Sequence, residues 1–165
     1  KIKALIDVSF KDNKEGVFGV RVTRAMELPS KKPAKYVDAQ GIPTKVAVLD
    51  NTGVNGNYIS SEGVEGKDVW GTRAKWVKLY STMEDEPVSI TIIDNPKNVG
   101  YPTYWHARDY GLFAANPLGQ EVFSKGKEKL NFSLKKDKSV TFHYRMLIHN
   151  GNVLSAEDIN GFTFK

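Results

Sequence analysis

A period of two in hydrophobicity runs through most of this 165-residue chain and constrains its fold more than any other feature. From Val140 to Ile148, apolar residues hold the even positions, and polar or charged residues hold most of the odd ones. Side chains alternate between the two faces of a strand, so this pattern predicts a half-buried antiparallel strand over 139–151.

Similar alternation predicts further strands, and we expect roughly eight to ten short ones in total, the pattern of an all-β antiparallel sandwich. The segments that predict strands are KALIDVSF (3–10), VFGVRVTR (17–24), TKVAVLDN (44–51), AKWVKLYS (74–81) and VSITIIDN (88–95). KLNFSLKKDKSVTF (129–142) predicts a hairpin that turns at its Lys-Asp-Lys sequence. Residues 26–44 and 51–71, which are rich in Pro or Gly, predict loops.

Helical signals are confined to SAEDIN, where Ser155 and Asp158 have the spacing of a capping box and Gly161 would end the helix. With 40% hydrophobic residues, we expect residues 1–165 to form one β-sandwich domain. The chain begins directly in a strand pattern, which favours a fragment of a longer protein. No window approaches the roughly 20 apolar residues of a membrane span, so no membrane span is expected.

The net charge of +5 raises the question of nucleic-acid binding. The lysines cluster in SKKPAK (30–35), KGKEKL (125–130) and LKKDK (134–138), and the last two clusters also contain acidic residues. No ladder of basic and aromatic residues suited to stacking bases is present, so we expect no nucleic-acid partner. The absence of cysteine excludes disulfides and thiol chemistry but does not choose a compartment.

The segment PTYWHARDYGLFAANPLG (102–119) is the most conspicuous candidate site. Read as one strand through Tyr110, it places Tyr104, His106 and Arg108 on one face and Asp109 on the other. His106 and Arg108 could be satisfied by structural partners. The polar turns that flank the strand, at 94–96 and 116–117, favour a functional site instead.

Lys14 and Glu15 stand at a loop tip before the strand that holds Arg21. They could form an ordinary surface ion pair, which contributes little stability. Alternatively, Glu15 could act as a general acid or base, with Lys14 or Arg21 binding an anion.

KDVWGTRAKWVKL (67–79) contains two tryptophans. Trp76 lies in a strand pattern and is expected in the core. Trp70, which follows a Gly-rich loop and precedes Gly71, could equally be a core residue or an exposed platform for a sugar ring. The chain has no phosphate-binding glycine motif, no nucleophile elbow and no HExxH spacing among its three histidines. We therefore expect neither a cofactor nor a metal site.

Four segments, KEGVFGVRV (14–22), SSEGVEGKDVWGTRAKWVKL (60–79), IIDNPKNVGYPTYWHARDYGLFAANPLG (92–119) and YRMLIHNG (144–151), resemble the C-terminal half of a bacterial family of unknown function labelled methane oxygenase PmoA. The resemblance implies a periplasmic or secreted β-sandwich of the galactose mutarotase type, half of a larger sandwich, encoded near carbohydrate-degrading enzymes. It implies a partner in the N-terminal half of the same protein, whose HHRGxW motif is absent here. The matching motifs carry over Lys14, Glu15, Arg21, Trp70, Arg73, His106, Arg108, Asp109 and Asn116.

The residues and the resemblance together predict a protein that binds or acts on a carbohydrate or another small molecule. In an enzyme, His106 would transfer a proton, with Glu15 as its counterpart, and Arg21 and Arg108 would hold hydroxyls or a carboxylate. A hydrolase would need Glu15 and either Asp109 or Asp94 to lie within about 10 Å of each other. The alternative is a non-catalytic structural or protein-binding module.

Overall fold

The computed structural model describes residues 1–46 and 50–164, and its regular structure is almost entirely antiparallel strands. The strands are β1 (Ile2–Lys3), β2 (Val8–Ser9), β3 (Phe18–Arg21), β4 (Ala34–Val37), β5 (Pro43–Val46), β6 (Asn57–Ser60), β7 (Trp76–Met83), β8 (Glu86–Asp94), β9 (Tyr104–Ala107), β10 (Leu112–Asn116), β11 (Ser133–Leu134), β12 (Ser139–Val140) and β13 (Tyr144–Asn150). Two 3₁₀ turns (Arg24–Met26 and Gly66–Val69) and two short helices, α1 (Gln120–Phe123) and α2 (Ala156–Gly161), complete it. No helix in this part of the chain is long and apolar enough to cross a membrane.

Two sheets pack face to face around one main core, as the alternation predicts. One sheet has the order β13-β8-β7-β6, and the other has the order β3-β10-β9. Tyr58 of the larger sheet meets Phe113 of the smaller at 5.4 Å between ring centroids, and Phe113 also contacts Trp105. The all-β sandwich is confirmed.

The opposite face of the four-stranded sheet is covered at one end by α2. Trp76, Ile93 and Ile159 form a second buried cluster there, so Trp76 is a core residue as expected. The predicted capping box begins α2: the Ser155 hydroxyl accepts from the Asp158 N–H, and the Asp158 carboxylate accepts from the Ser155 N–H. The helix ends at Gly161, as the sequence predicts.

The predicted hairpin over 129–142 is wrong. β11 pairs with β2 and β12 pairs with β1, so each arm joins the N-terminal segment rather than the other arm. The Asp137 N–H donates to the carbonyl of Ala4, and Phe132 packs against Phe10. These distant partners bury Ala4 and Leu134, which a local hairpin would leave exposed.

Several predicted boundaries also change. The expected loop 26–44 contains β4 and the start of β5, and the expected loop 51–71 contains β6 and a 3₁₀ turn. The strand predicted over 3–10 is split into β1 and β2, and the one over 139–151 is split into β12 and β13. In the segment 44–51, residues 47–49 lie outside the described residues.

Candidate functional site

The segment 104–110 is not one strand, so that prediction is wrong. β9 ends at Ala107, the chain turns through 108–111, and β10 returns alongside it. Gly111 occupies the turn with φ of +81°, a conformation that favours glycine, and the Arg108 N–H donates to the Leu112 carbonyl at 2.8 Å. Arg108 therefore lies at the first position of a tight turn.

The outer face of the three-stranded sheet presents a row of small residues beside the imidazole. His106 is paired with Ala114, and Ala114 is paired with Gly19 on the next strand. A Cβ atom added at Gly19 would lie 2.9 Å from the Cβ of Ala114, so the two positions point to the same side. Arg21 lies one step along this face, opposite Leu112.

Two aromatic rings pack against the His106 side chain on the outer face of the three-stranded sheet. Phe123 of α1 contacts His106 at 6.0 Å and Trp70 at 5.4 Å between centroids, and Trp70 lies 6.4 Å from His106. Gly71, with φ of +74°, gives the chain the turn that follows Trp70. The imidazole is consequently buried, with only 3% of the residue exposed.

The electrostatic surroundings of His106 come from the loop before β3. Burial lowers the pKa of His106, and the charges of Arg108 and Lys14 lower it further. The Glu15 charge and a backbone hydrogen bond with Lys14 oppose this shift without cancelling it. His106 is therefore a neutral imidazole near neutral pH, with Glu15 close enough to influence it. Lys14 and Glu15 form an exposed ion pair at 3.7 Å.

Arg108 is the least satisfied of the predicted residues. Its guanidinium carbon lies 5.7 Å from the centroid of the Trp70 ring and 5.2 Å from that of Tyr110. In the described part of the chain, it has no ion pair, and its buried Nε has no hydrogen-bond partner. The indole Nε1 of Trp70 is likewise buried without a partner. Each of these two neighbouring side chains therefore keeps one N–H donor without an acceptor among the described residues.

A cavity of about 140 Å³ opens beside these two side chains. Its walls include Trp70, Arg108 and Asp109, together with Lys32 and Lys67. The Asp109 carboxylate lies 3.9 Å from the Lys32 ammonium. Three cations against one carboxylate give the cavity a positive potential. His106 and Glu15 are not among its lining residues.

Arg73 and Asn116 have structural partners instead. Arg73 donates to the carbonyls of Gly100 and Pro102, pairs with Glu128 and lies over the Tyr104 ring at 4.5 Å. Asn116, which is fully buried, donates to the Asn13 carbonyl and accepts from the Leu118 N–H. Both side chains hold loops against the sheet.

Arg21 lies at the edge of the site. It donates to the Tyr110 carbonyl at 3.2 Å, and its guanidinium carbon is 5.6 Å from the Tyr110 ring centroid. The acids that a hydrolase would use have other partners: Glu15 pairs with Lys14, Asp109 lies 3.9 Å from the Lys32 ammonium, and Asp94 accepts from Asn98 and Thr103.

Three residues of the site were missed by the sequence analysis: Phe123, Lys32 and Lys67. Lys32 belongs to the SKKPAK cluster and lines the same cavity as Arg108. The two residues are 76 positions apart, so the sequence around Lys32 does not indicate this proximity. No group of three His, Cys, Asp or Glu side chains in the described ranges could hold a metal ion.

The comparisons with known proteins identify a family but no relative of known activity. Neither the curated proteins nor the solved structures contain a match to this chain. The model of a family of unknown function, DUF6807, matches residues 1–163. Since the match covers almost the whole chain, the protein belongs to the DUF6807 family of unknown function.

Proposed function

We propose that this protein binds a sugar derivative carrying an anionic group, with that group held by Arg108 in the cavity beside Trp70. The observation that carries this proposal is the Arg108 guanidinium, held between two rings with no carboxylate partner among the described residues. A guanidinium fork matches the geometry of a carboxylate, and such charge-assisted bonds are among the strongest hydrogen bonds in proteins.

The size of the cavity favours the end group rather than a whole sugar ring. Its volume of about 140 Å³ equals that of only a few water molecules, each of which occupies roughly 30 Å³. A carboxylate could accept from Arg108 and from the orphaned indole N–H of Trp70, while Lys32 and Lys67 balance its charge. The ring would then lie outside, against the Trp70 and Tyr110 side chains.

The carbohydrate part of the proposal rests on the resemblance of four segments to the C-terminal half of the family labelled methane oxygenase PmoA. On the same ground, we propose a galactose-mutarotase-like sandwich and a partner in the N-terminal half of the protein. The carbohydrate ligand, the mutarotase-like fold and the N-terminal partner are thus proposed from resemblance, because one fold can carry many unrelated functions.

A second candidate is catalysis, supported by the environment of His106, which lies outside the lining of the Arg108 cavity and would act on a part of the ligand beyond it. A buried, neutral imidazole with a depressed pKa is suited to accept a proton, and Glu15 would stabilise the imidazolium that forms. This chemistry suits an epimerase or lyase acting next to a carboxylate. A binding module without turnover is the alternative.

Calorimetric titration with glucuronate and galacturonate, alongside glucose and galactose, tests the proposal. We expect the uronates to bind more tightly than the neutral sugars, with affinity that falls as salt is added. Arg108→Ala should weaken uronate binding at least about tenfold, because a charged hydrogen bond is lost. Arg145→Ala is the matched control, since Arg145 contacts Phe162 and Phe164 rather than the cavity.

Uronate binding that survives Arg108→Ala with unchanged affinity would refute the proposal. Catalysis is tested separately by following hydrogen exchange at the sugar carbons in D₂O by NMR. Exchange that disappears in His106→Gln while uronate affinity persists identifies an enzyme. Binding without exchange in the wild-type protein identifies a binding module.

A further inference from the structure

The outer face of the four-stranded sheet is covered over only part of its length. Trp76 and Ile93 lie under α2, whereas Tyr80, Thr82, Pro87 and Ser89 continue the same face beyond the helix. Tyr80 is paired with Ser89, and Thr82 is paired with Pro87, so the four side chains form two adjacent rows. Alternation along β7 and β8 places them on the side opposite the main core.

A cavity of about 490 Å³ occupies this uncovered end, within the range of about 300–1,000 Å³ that is usual for small-molecule sites. The segment after β13 forms its rim through Asn152 and Val153. This rim is fixed at its base, because the Gly151 N–H donates to the Pro87 carbonyl and the His149 ring contacts the Asn152 carbonyl at 2.8 Å. The cavity shares no lining residue with the Arg108 site.

The lining carries no formal charge. The Lys78 ammonium lies 5.3 Å from the centroid of the Tyr80 ring and donates to the Leu154 carbonyl at 2.7 Å. Since Lys78 already has an acceptor and no charged residue lines the cavity, an ion would leave water without gaining a partner, and neutral molecules are the matching class.

Free hydroxyl groups supply the polar part of the lining. Ser89 is only 7% exposed, and its hydroxyl, like that of Thr82, has no hydrogen-bond partner in the described part of the chain. The Tyr80 hydroxyl accepts from Asn57, so its own hydrogen remains available as a donor. By contrast, the Asn55 side-chain amide donates to the Thr82 carbonyl and accepts from the Thr82 N–H. These two bonds hold Asn55 in place at the edge of the cavity.

We infer that this cavity is a second ligand site, for a neutral pyranoside. Such a ring offers an apolar C–H face to the Tyr80 ring and hydroxyls around its edge to Ser89, Thr82 and Tyr80. The two cavities share no lining residue, so each site is tested by its own variants. The inference therefore goes beyond the proposed function and can fail independently of it.

The test is an NMR titration of the ¹⁵N-labelled protein with the methyl pyranosides of glucose, galactose and mannose at millimolar concentrations. We expect at least one glycoside to shift the amide signals of β7, β8 and residues 151–153. Ser89→Phe, which fills the cavity, and Tyr80→Ala, which removes the platform, should each weaken binding at least about tenfold. Tyr80→Phe keeps the ring and should retain most of the affinity.

Arg108→Ala is the control that separates the two sites, and it should leave pyranoside affinity unchanged. No shift with any of the three glycosides, or shifts that persist in both Ser89→Phe and Tyr80→Ala, would overturn the inference. Each variant is compared only after its amide spectrum shows a folded protein. Loss of uronate binding in Arg108→Ala would support the proposed anion site beside Trp70 and would say nothing about the pyranoside cavity.

Discussion

Asp94 offers a quantitative test of the energetics of this fold. It lies at the end of β8 with 2% of its surface exposed, and its carboxylate accepts from the Asn98 amide at 2.7 Å and from the Thr103 N–H at 2.9 Å. Burial raises the pKa of Asp94 from 3.8 to about 6, although these hydrogen bonds lower it in part. The difference of roughly two pKa units corresponds to about 3 kcal/mol of folding free energy.

The sign of the effect follows from the direction of the shift. Below pH 3.8 the carboxyl group is protonated in both the folded and the unfolded chain. Between this value and a pH of about 6, the unfolded chain has released the proton while the folded chain retains it. Unfolding is then favoured as the pH rises, so the free energy of unfolding falls through this window and levels off above it.

Urea denaturation of the wild-type protein and of Asp94→Asn, at intervals from about pH 3.5 to about pH 7.5, measures this term. The wild-type free energy of unfolding minus that of the variant should fall by about 3 kcal/mol across the range. Asp7 and Asp158, whose pKa values are lowered by hydrogen bonds, titrate in both proteins and cancel in the difference. A difference that does not change with pH would refute the reasoning. It would mean that Asn98 and Thr103 keep Asp94 ionised despite its burial.

Three further predictions concern stability, each measured by urea denaturation. Gly56→Ala places a Cβ atom 1.9 Å from the Met26 carbonyl oxygen and should cost about 1–3 kcal/mol. Gly161→Ala meets open space and should change the free energy of unfolding by less than about 0.5 kcal/mol. Similar values for the two variants would contradict the close approach at Gly56. Ser155→Ala removes the cap of α2 and should cost about 1 kcal/mol, and no loss would show that the capping box is not formed in solution. Arg73→Ala breaks two hydrogen bonds and an ion pair and should cost about 1–3 kcal/mol, while Arg108→Ala breaks none within the described residues and should cost less. An equal loss would remove the distinction between the two arginines.

The strand pattern could be predicted from the sequence because alternation reports burial on one face. The strand pattern predicted the burial of Trp76, and the capping-box spacing predicted the helix that begins after Ser155. Both signals depend on residues close in sequence. The hairpin over 129–142 failed because the pairing of β1 with β12 joins segments more than one hundred residues apart. Local turn signals carry no information about such partners.

The site was less predictable than the fold for the same physical reason. Arg73 and Arg108 have similar sequence surroundings, each near a tryptophan and a glycine. Only the folded chain gives Arg73 its partner Glu128, which lies 55 residues away, and leaves Arg108 without one. Which arginine is available to a ligand is therefore decided by contacts between distant segments.

The unpaired donors at the site argue for a role outside folding. A buried donor left without a partner costs about 1–3 kcal/mol, and Trp70 and Arg108, whose side chains line one cavity, each carry one. Arg73 has its acceptors within the described chain, in Glu128 and two carbonyls, whereas the Arg108 guanidinium has none there. Asp109, the acid that follows Arg108, lies beside Lys32 instead. An anion that reaches both donors would recover the cost of leaving them unpaired, so the energy lost in folding becomes available for binding.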